Sequence, residues 1–195
     1  FTMTVSDGTA TDTLTVTITL TGADDDVSAG ADQTGAVTED ASTATATGTV
    51  SSSDVDGDDS SFTYAIGTAA GTYGTLSMSG AAWTYTLNNA DTDTDALDAG
   101  DSVTDAFTIT VTEASSSTTD TMTVTITVTG ADDDVSAGAD QTGAVTEDAT
   151  TTTATGTVSA SDVDGDDSSF TYAIGAATGT YGTLSMSGAA WTYTL

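Results

Sequence analysis

The chain of 195 residues carries 30 Asp and Glu side chains, no Lys, Arg or His, and a formal charge of −30. A surface without one basic side chain cannot neutralise phosphate, which excludes nucleic-acid binding and attachment to anionic membrane surfaces. There is no Cys, hence no disulfide or thiolate chemistry, and side-chain salt bridges are impossible, so carboxylates brought together must be hydrated, protonated or bridged by a metal ion.

In chain order, Phe1-Thr-Met3-Thr-Val5 and Thr13-Leu14-Thr-Val16-Thr-Ile18-Thr-Leu20 alternate apolar residues with Thr, the period of a half-buried strand, and predict two antiparallel strands joined through Asp7-Gly8. Further strands are predicted near 34–39, 43–50, 62–67, 73–79, 82–87, 103–112 and 120–129. Turns are expected at Asp56-Gly57, Gly71, Ser79-Gly80 and Glu113 to Thr119. Phe62-Thr-Tyr64-Ala-Ile66, Trp83-Thr-Tyr85-Thr-Leu87 and Met122-Thr-Val124-Thr-Ile126-Thr-Val128 alternate too regularly for a disordered chain, despite the high charge. About seven short strands of this kind suit an immunoglobulin-like or cadherin-like sandwich. Its expected core is Trp83, Tyr64, Phe107, Leu76, Ile109, Val124 and Ile126, with Leu97 tucking the long irregular stretch Asn88 to Asp105 against it. No apolar run approaches the roughly 20 residues of a membrane span, so no direct membrane insertion is expected.

Residues Gly22 to Leu87 return as Gly130 to Leu195 with exchanges only at Ser42/Thr150, Ala44/Thr152, Ser52/Ala160, Thr68/Ala176 and Ala70/Thr178. Glu39 aligns with Glu147, so the period is 147 − 39 = 108 residues, the length of a domain and not of a solenoid turn. Residues 1–21 therefore read as the C-terminal strands of a preceding repeat, 22–129 as a complete repeat and 130–195 as the N-terminal part of the next. The fold class expected is all-β, built of tandem antiparallel immunoglobulin-like or cadherin-like β-sandwich domains. Counterparts of Asn88 to Ala106 are missing from the last copy, so the Phe1–Leu20 hairpin is expected to pack on a partial sandwich like 130–195 supplied by adjoining polypeptide, a strand complementation between fibre neighbours.

Three acidic clusters recur at that offset. They are Asp24-Asp25-Asp26 at the junction, Glu39-Asp40, and Asp54 and Asp56 with Asp58 in a loop; the second copy carries Asp132, Asp133, Asp134, Glu147, Asp148, Asp162, Asp164 and Asp166. Calcium takes six to eight oxygens at about 2.3–2.6 Å from carboxylates and carbonyls on loops, and an acidic linker beside acidic loops meets that demand. An EF-hand does not fit, because Gly57 falls at the fourth position of the loop and Ala65 stands where a bidentate Glu is required. Asp91, Asp93 and Asp95 with Asp98 and Asp101 on the long irregular stretch form a second candidate, able to converge on one cation if that loop curls, with solvation the favoured reading. A merely solvated acidic surface is the alternative for all the clusters.

Val37-Thr38-Glu39-Asp40, Asp54-Val-Asp56-Gly57-Asp58, Tyr73-Gly74-Thr75-Leu76, Trp83-Thr84-Tyr85-Thr86-Leu87, Ala96-Leu97-Asp98-Ala99-Gly100 and Thr125-Ile126-Thr127-Val128-Thr129-Gly130 form an ordered series along the whole chain. The series resembles that of VCBS repeats, found in very large secreted bacterial adhesins. The resemblance implies calcium-dependent tandem domains outside the cell or on the bacterial surface. It departs from the family at the junction, where Ala23-Asp24-Asp25-Asp26-Val27 replaces the usual Asn-Asp-x-Pro, in a chain with no Pro.

No enzyme is expected, because His, Cys, Lys and Arg are absent and only a carboxylate pair such as Glu39 with Asp56 is available. Those residues are better used as ion ligands. The expected function is a structural spacer of an adhesin or extracellular fibre, with calcium ions and adjacent identical repeats as partners. A calcium-dependent lectin-like module binding surface glycans is the alternative. It needs an exposed aromatic platform, and Trp83 and Trp191 alternate in register with core positions.

Overall fold

The computed structural model describes residues 1–56, 61–164 and 169–195. They contain no helix, and so none long and apolar enough to cross a membrane. The chain opens with a hairpin of β1 (Thr2–Ser6) and β2 (Thr11–Thr15). There follow β3 (Ser28–Ala29), β4 (Gln33–Thr38), β5 (Thr45–Thr49), β6 (Ser52–Ser53), β7 (Phe62–Ile66), β8 (Gly74–Ser79), β9 (Ala82–Leu87), β10 (Ser102–Glu113) and β11 (Thr119–Thr129). The last piece holds β12 (Ser136–Ala137), β13 (Thr153–Thr157), β14 (Ala160–Ser161), β15 (Thr183–Ser187) and β16 (Ala190–Thr194).

Strands β3 to β11 build one sandwich. One layer runs in the order β4-β11-β10-β7 and the other β5-β9-β8, with β3-β6 as a short pair beside them. Every contact within the layers is antiparallel except β4 with β11, which are parallel. Thr alternates with large apolar residues, so each strand turns one row inward, and Leu76, Trp83, Tyr85, Phe107, Ile109, Val124 and Ile126 close the core. Tyr64 is only half-buried; its hydroxyl reaches Ser52 Oγ at 2.7 Å. Two glycines leave room for a large side chain on the neighbouring strand of their own layer, Gly48 for Trp83 and Gly35 for Ile126. A Cβ on Gly48 would stand 2.5 Å from Trp83 Cζ2, and one on Gly35 would stand 2.8 Å from Ile126 Cδ1.

Two elements escaped the apolar alternation. Ser28–Ala29 and Ser52–Ser53 pair with each other, and Ala29 N–H and Thr123 N–H donate to the carboxylates of Asp120 and Asp32 at 2.8 and 2.7 Å. These bonds tie the start of the repeat to β11.

Identical sequences take different conformations according to their partners. Phe62–Ile66 is a strand because β10 pairs with it, whereas Phe170–Ile174, the same five residues, forms none. Likewise Gln33–Thr38 lies along β11, and Gln141–Thr146 is irregular. The strands that persist in the last piece, β12 to β16, are those whose partners lie within 130–195. The same rule corrects the expectation that the second strand of the N-terminal hairpin reaches Leu20. Pairing ends where Val16 N–H donates to Phe1 O at 2.8 Å, and among the described residues none pairs with Thr17–Leu20.

Candidate metal centre

The centre lies where β11 runs into the linker 130–134. Glu39 N–H donates to Thr129 O at 2.9 Å, extending the β4–β11 ladder by one residue, and the chain then turns at Asp40 with a left-handed φ of 51°. Asp148 repeats that conformation with a φ of 58°, so the turn belongs to the local sequence, Asp being among the few residues that tolerate it. Glu39 is thereby held beneath the linker, 3% exposed, and its Oε2 accepts from Ala131 N–H at 3.3 Å.

The stretch 88–101 supplies the second side. Thr94 and Leu97 are buried, and turns closed by Thr94 N–H to Asp91 O at 3.0 Å and Leu97 N–H to Thr94 O at 3.0 Å leave Asp95 and Asp98 half-buried toward the linker. Gly130 fits under this stretch because it has no side chain: a Cβ there would collide with the carbonyl of Asp98 and stand 2.5 Å from that of Leu97. Gly130 N–H donates to Asp101 O at 3.1 Å.

The following repeat supplies the third side. Asp164 N–H donates to Asp162 Oδ1 at 3.2 Å, and Asp164 Oδ2 accepts from Asp133 N–H at 2.7 Å. The first copy repeats both bonds, with Asp56 N–H to Asp54 Oδ1 at 2.8 Å and Asp25 N–H to Asp56 Oδ2 at 2.7 Å. The Asp-x-Asp loop is therefore a linker clasp in each copy.

Two groups of carboxylates result, Glu39 with Asp95 and Asp133, and Asp98 with Asp132 and Asp164; within each, one oxygen per residue lies within 4.8 Å of the others. Oxygens on opposite sides of a calcium ion are separated by about twice the roughly 2.4 Å bond, so these spacings suit shared ligation. Glu39 Oε1 and Asp164 Oδ1, one in each group, are buried and meet no hydrogen-bond donor. A hard, all-oxygen, anionic set with orphaned buried oxygens fits a calcium ion. Burial pushes the Glu39 carboxyl above its ordinary value against the pull of the Ala131 amide, and the charges of Asp133, Asp40 and Asp164 raise it further. Asp133 is raised by burial and then by Asp164, Asp40 and Asp95. Both shifts express anions crowded without a countercharge.

The remaining sequence candidates are placed as follows. Asp24, Asp25 and Asp26 are exposed, and the groups that Glu39, Asp95 and Asp98 supply at 129/130 have no counterpart in residues 1–21, whose acidic residues are Asp7 and Asp12. Asp40 Oδ1 accepts from Asn89 Nδ2 at 3.4 Å, Asp54 keeps a buried unpartnered Oδ2, and Asp134, Glu147 and Asp148 are exposed. Asp58 and Asp166 lie outside the described residues. Asp95 and Asp98, for which solvation is the reading the sequence favours over a shared cation on their own loop, instead divide between the two groups, each beside carboxylates of other elements. The signal that could have found them is Leu97, an apolar anchor that fixes its acidic neighbours.

Trp83 and Trp191 are both buried, as their register with the core positions predicts, so neither offers an aromatic platform, whereas Tyr181 is exposed.

Residues 24–130 match the family model of the bacterial cadherin-like domain. No curated protein matches the chain. Among solved structures, the titin domains z1z2 in complex with telethonin are similar at a TM-score of 0.34 and 10% identity, over 88% of this chain and 82% of that one. A chimeric titin Z1Z2 functionalized with a KLER exogenous peptide from decorin is similar at a TM-score of 0.32 and 10% identity, over the same shares. The family model spans more than half of the 195 residues, through the sandwich and into the linker that carries the acidic groups: the chain belongs to the bacterial cadherin-like domain family.

Proposed function

We propose that the chain is part of a tandem array of VCBS-type repeats, a non-catalytic spacer in a secreted bacterial adhesin or extracellular fibre, whose junctions are stiffened by calcium. One observation carries the reading. At the 129/130 junction, carboxylates from one repeat, the linker and the next repeat converge, and the two buried oxygens without donors, Glu39 Oε1 and Asp164 Oδ1, come from opposite sides of that junction. A cation shared by such groups links two domains that the linker alone leaves free to pivot.

The setting supports this. At roughly 10 mM calcium and a Kd of about 10⁻⁴ M, each site adds about 2.7 kcal/mol to the folded, joined state. At micromolar calcium that contribution nearly vanishes and the carboxylates repel one another, so export unfolded and folding outside the cell follow naturally.

The test is to remove calcium with a chelator while sodium chloride holds the ionic strength high, and to follow small-angle scattering and thermal melting. The expected result is loss of interdomain stiffness before the sandwich melts. A purely screening surface is indifferent to which cation is present. No change in either measurement removes the calcium-stiffened junction.

A further inference from the structure

The described acidic residues of the complete repeat stand at its ends, in its loops or, like Asp105, Glu113 and Asp120, at inward positions of its strands. None occupies an outward position of β4, β11, β10 or β7, so in a chain of charge −30 the outer face of this layer is neutral. Every outward position of β11 is Thr. Strand β10 opposes this file in register, with the pairs Thr104↔Thr127, Thr108↔Thr123 and Thr110↔Thr121.

The backbone fixes the spacing of this array. Gly130 N–H donates to Asp101 O at one end of the β10–β11 pair and Glu113 N–H to Thr118 O at the other, both at 3.1 Å, so the hydrogen-bonded pairs of the ladder are the inward residues. The outward Thr pairs are therefore the closer, non-hydrogen-bonded kind, with Cα atoms about 4.5 Å apart across the strands. Along each strand, successive outward residues are about 6.8 Å apart. Among the described residues, the hydroxyls of these three pairs find no partner in the chain; on this face only Thr63 does, donating to Thr112 O at 3.3 Å. Thr is stiff at χ1, so methyls and hydroxyls are set in place before anything is bound and little side-chain entropy remains to be lost.

We propose that this face binds ice, the Thr hydroxyls bonding to lattice water while the methyls settle into the hollows between its rows. The oxygen rows of hexagonal ice repeat at distances close to both spacings of the Thr array. A neutral surface with two periods calls for a neutral occupant with the same two periods. A glycan would need an aromatic platform, and the outward positions of these four strands hold no aromatic residue. A second copy would bring carboxylates of the same sign toward those at the ends of the repeat. Twist of about 20–25° between neighbouring strands confines the fit to the long β10–β11 pair and the residues beside it. In the tandem array proposed above the face recurs with each repeat, so contacts that are weak singly add through multivalency. The stalk would then adhere along its length as well as project. The inference stands apart from calcium, since the face lies within residues 22–129 and presents no carboxylate.

The experiment uses the 195-residue chain and reads two properties: partition into a slowly growing ice hemisphere, and inhibition of ice recrystallisation. The parent is expected to enter the ice and to keep its grains small. Thr108→Tyr lifts a ring above the plane of the array at an exposed position while keeping a strand-forming residue, and should lose both activities with an unchanged circular dichroism spectrum. Thr104→Tyr, two ranks along the same file, should lose them too and serves where the first variant folds poorly. Thr92→Tyr, exposed on the irregular stretch away from the sheet, should behave like the parent. A parent excluded from ice overturns the proposal, whether it instead self-associates or binds insoluble polysaccharide. Folded Thr108→Tyr and Thr104→Tyr chains that retain the parent's activity overturn it equally. Failure of the calcium experiment leaves this one untouched, because stiffness of the junction does not enter either readout.

Discussion

The Tyr85 hydroxyl donates to Asp105 Oδ2 at 2.8 Å inside the sandwich, joining β9 of one layer to β10 of the other. The same carboxylate accepts from the backbone N–H groups of Thr72, Tyr73 and Gly74 at 2.8, 3.1 and 3.2 Å, so it closes the turn before β8 as well. Burial, reinforced by this carboxylate, holds the Tyr85 phenol strongly protonated.

Removing the two partners should therefore differ in cost. Tyr85→Phe loses one of the four hydrogen bonds that the Asp105 carboxylate accepts and is expected to cost about 1–2 kcal/mol, whereas Asp105→Ala orphans the amides of Thr72, Tyr73 and Gly74 and should cost about 3 kcal/mol or more. Urea denaturation followed by Trp fluorescence measures both. Equal effects would mean that the turn amides find other acceptors.

Gly48 packs its backbone against the Trp83 ring, where a Cβ would stand 2.5 Å from Cζ2. Gly48→Ala should destabilise the sandwich by about 1–3 kcal/mol through overpacking, and the fluorescence of Trp83 should change with it. Gly156 repeats the contact with Trp191 at 2.5 Å, so Gly156→Ala should disturb the last piece independently. Thermal melts of the two variants and their double mutant check whether the effects add.

The proposed ion site predicts a ranking among acidic residues. Asp133→Asn and Asp164→Asn each remove a junction carboxylate and should weaken calcium binding by roughly tenfold or more, on the order of 1.4 kcal/mol each. Asp12→Asn, on the N-terminal hairpin, should leave it unchanged. Isothermal titration of the whole chain distinguishes them, and equal binding by all three would point to diffuse screening.

Glu39 and Asp133 both bind their proton more tightly in the folded chain than in the unfolded one. Without calcium, the stabilisation this gives is complete below the ordinary carboxylate values and is lost as pH rises through the raised folded values. The melting temperature of the calcium-free chain should accordingly carry a component that falls from acidic toward neutral pH, and Glu39→Gln should flatten it. Calcium requires the deprotonated groups, so saturation with the ion should reverse the trend. Glu113, held low by Ser116 and then by Ser115 and Thr118, and Asp120, held low by the amides of Ala29 and Thr121, act in the opposite sense. Their contributions are present above the unfolded values and lost as pH falls below the ordinary range, a more acidic window.

Much of the sandwich was legible because Thr and apolar residues alternate without interruption in Trp83–Leu87 and Met122–Val128, and strand periodicity needs no other information. Ser28–Ala29 and Ser52–Ser53 carry no such pattern; they are strands only through each other. The ion site was half legible. Glu39, Asp132, Asp133 and Asp164 stand in clusters that repeat, but Asp95 and Asp98 join them through the burial of Thr94 and Leu97 and the fit of Gly130, which are tertiary facts. Nor can sequence alone separate Glu39 from Glu147, the same residue in the same motif, one buried and one exposed.

The parallel pairing of β4 with β11 has a mechanical consequence. The chain enters the four-stranded layer at Gln33, paired with Val124, and leaves it at Thr129, paired with Thr38. Tension along the polypeptide drags these two strands past each other lengthwise, so the hydrogen bonds between them are loaded together and must rupture together. Had the strands been antiparallel, the same pull would peel them apart one bond at a time. A repeat wired in this way resists stretching through β4 and its last strand, β11, and the force is borne without passing through the hydrophobic interior.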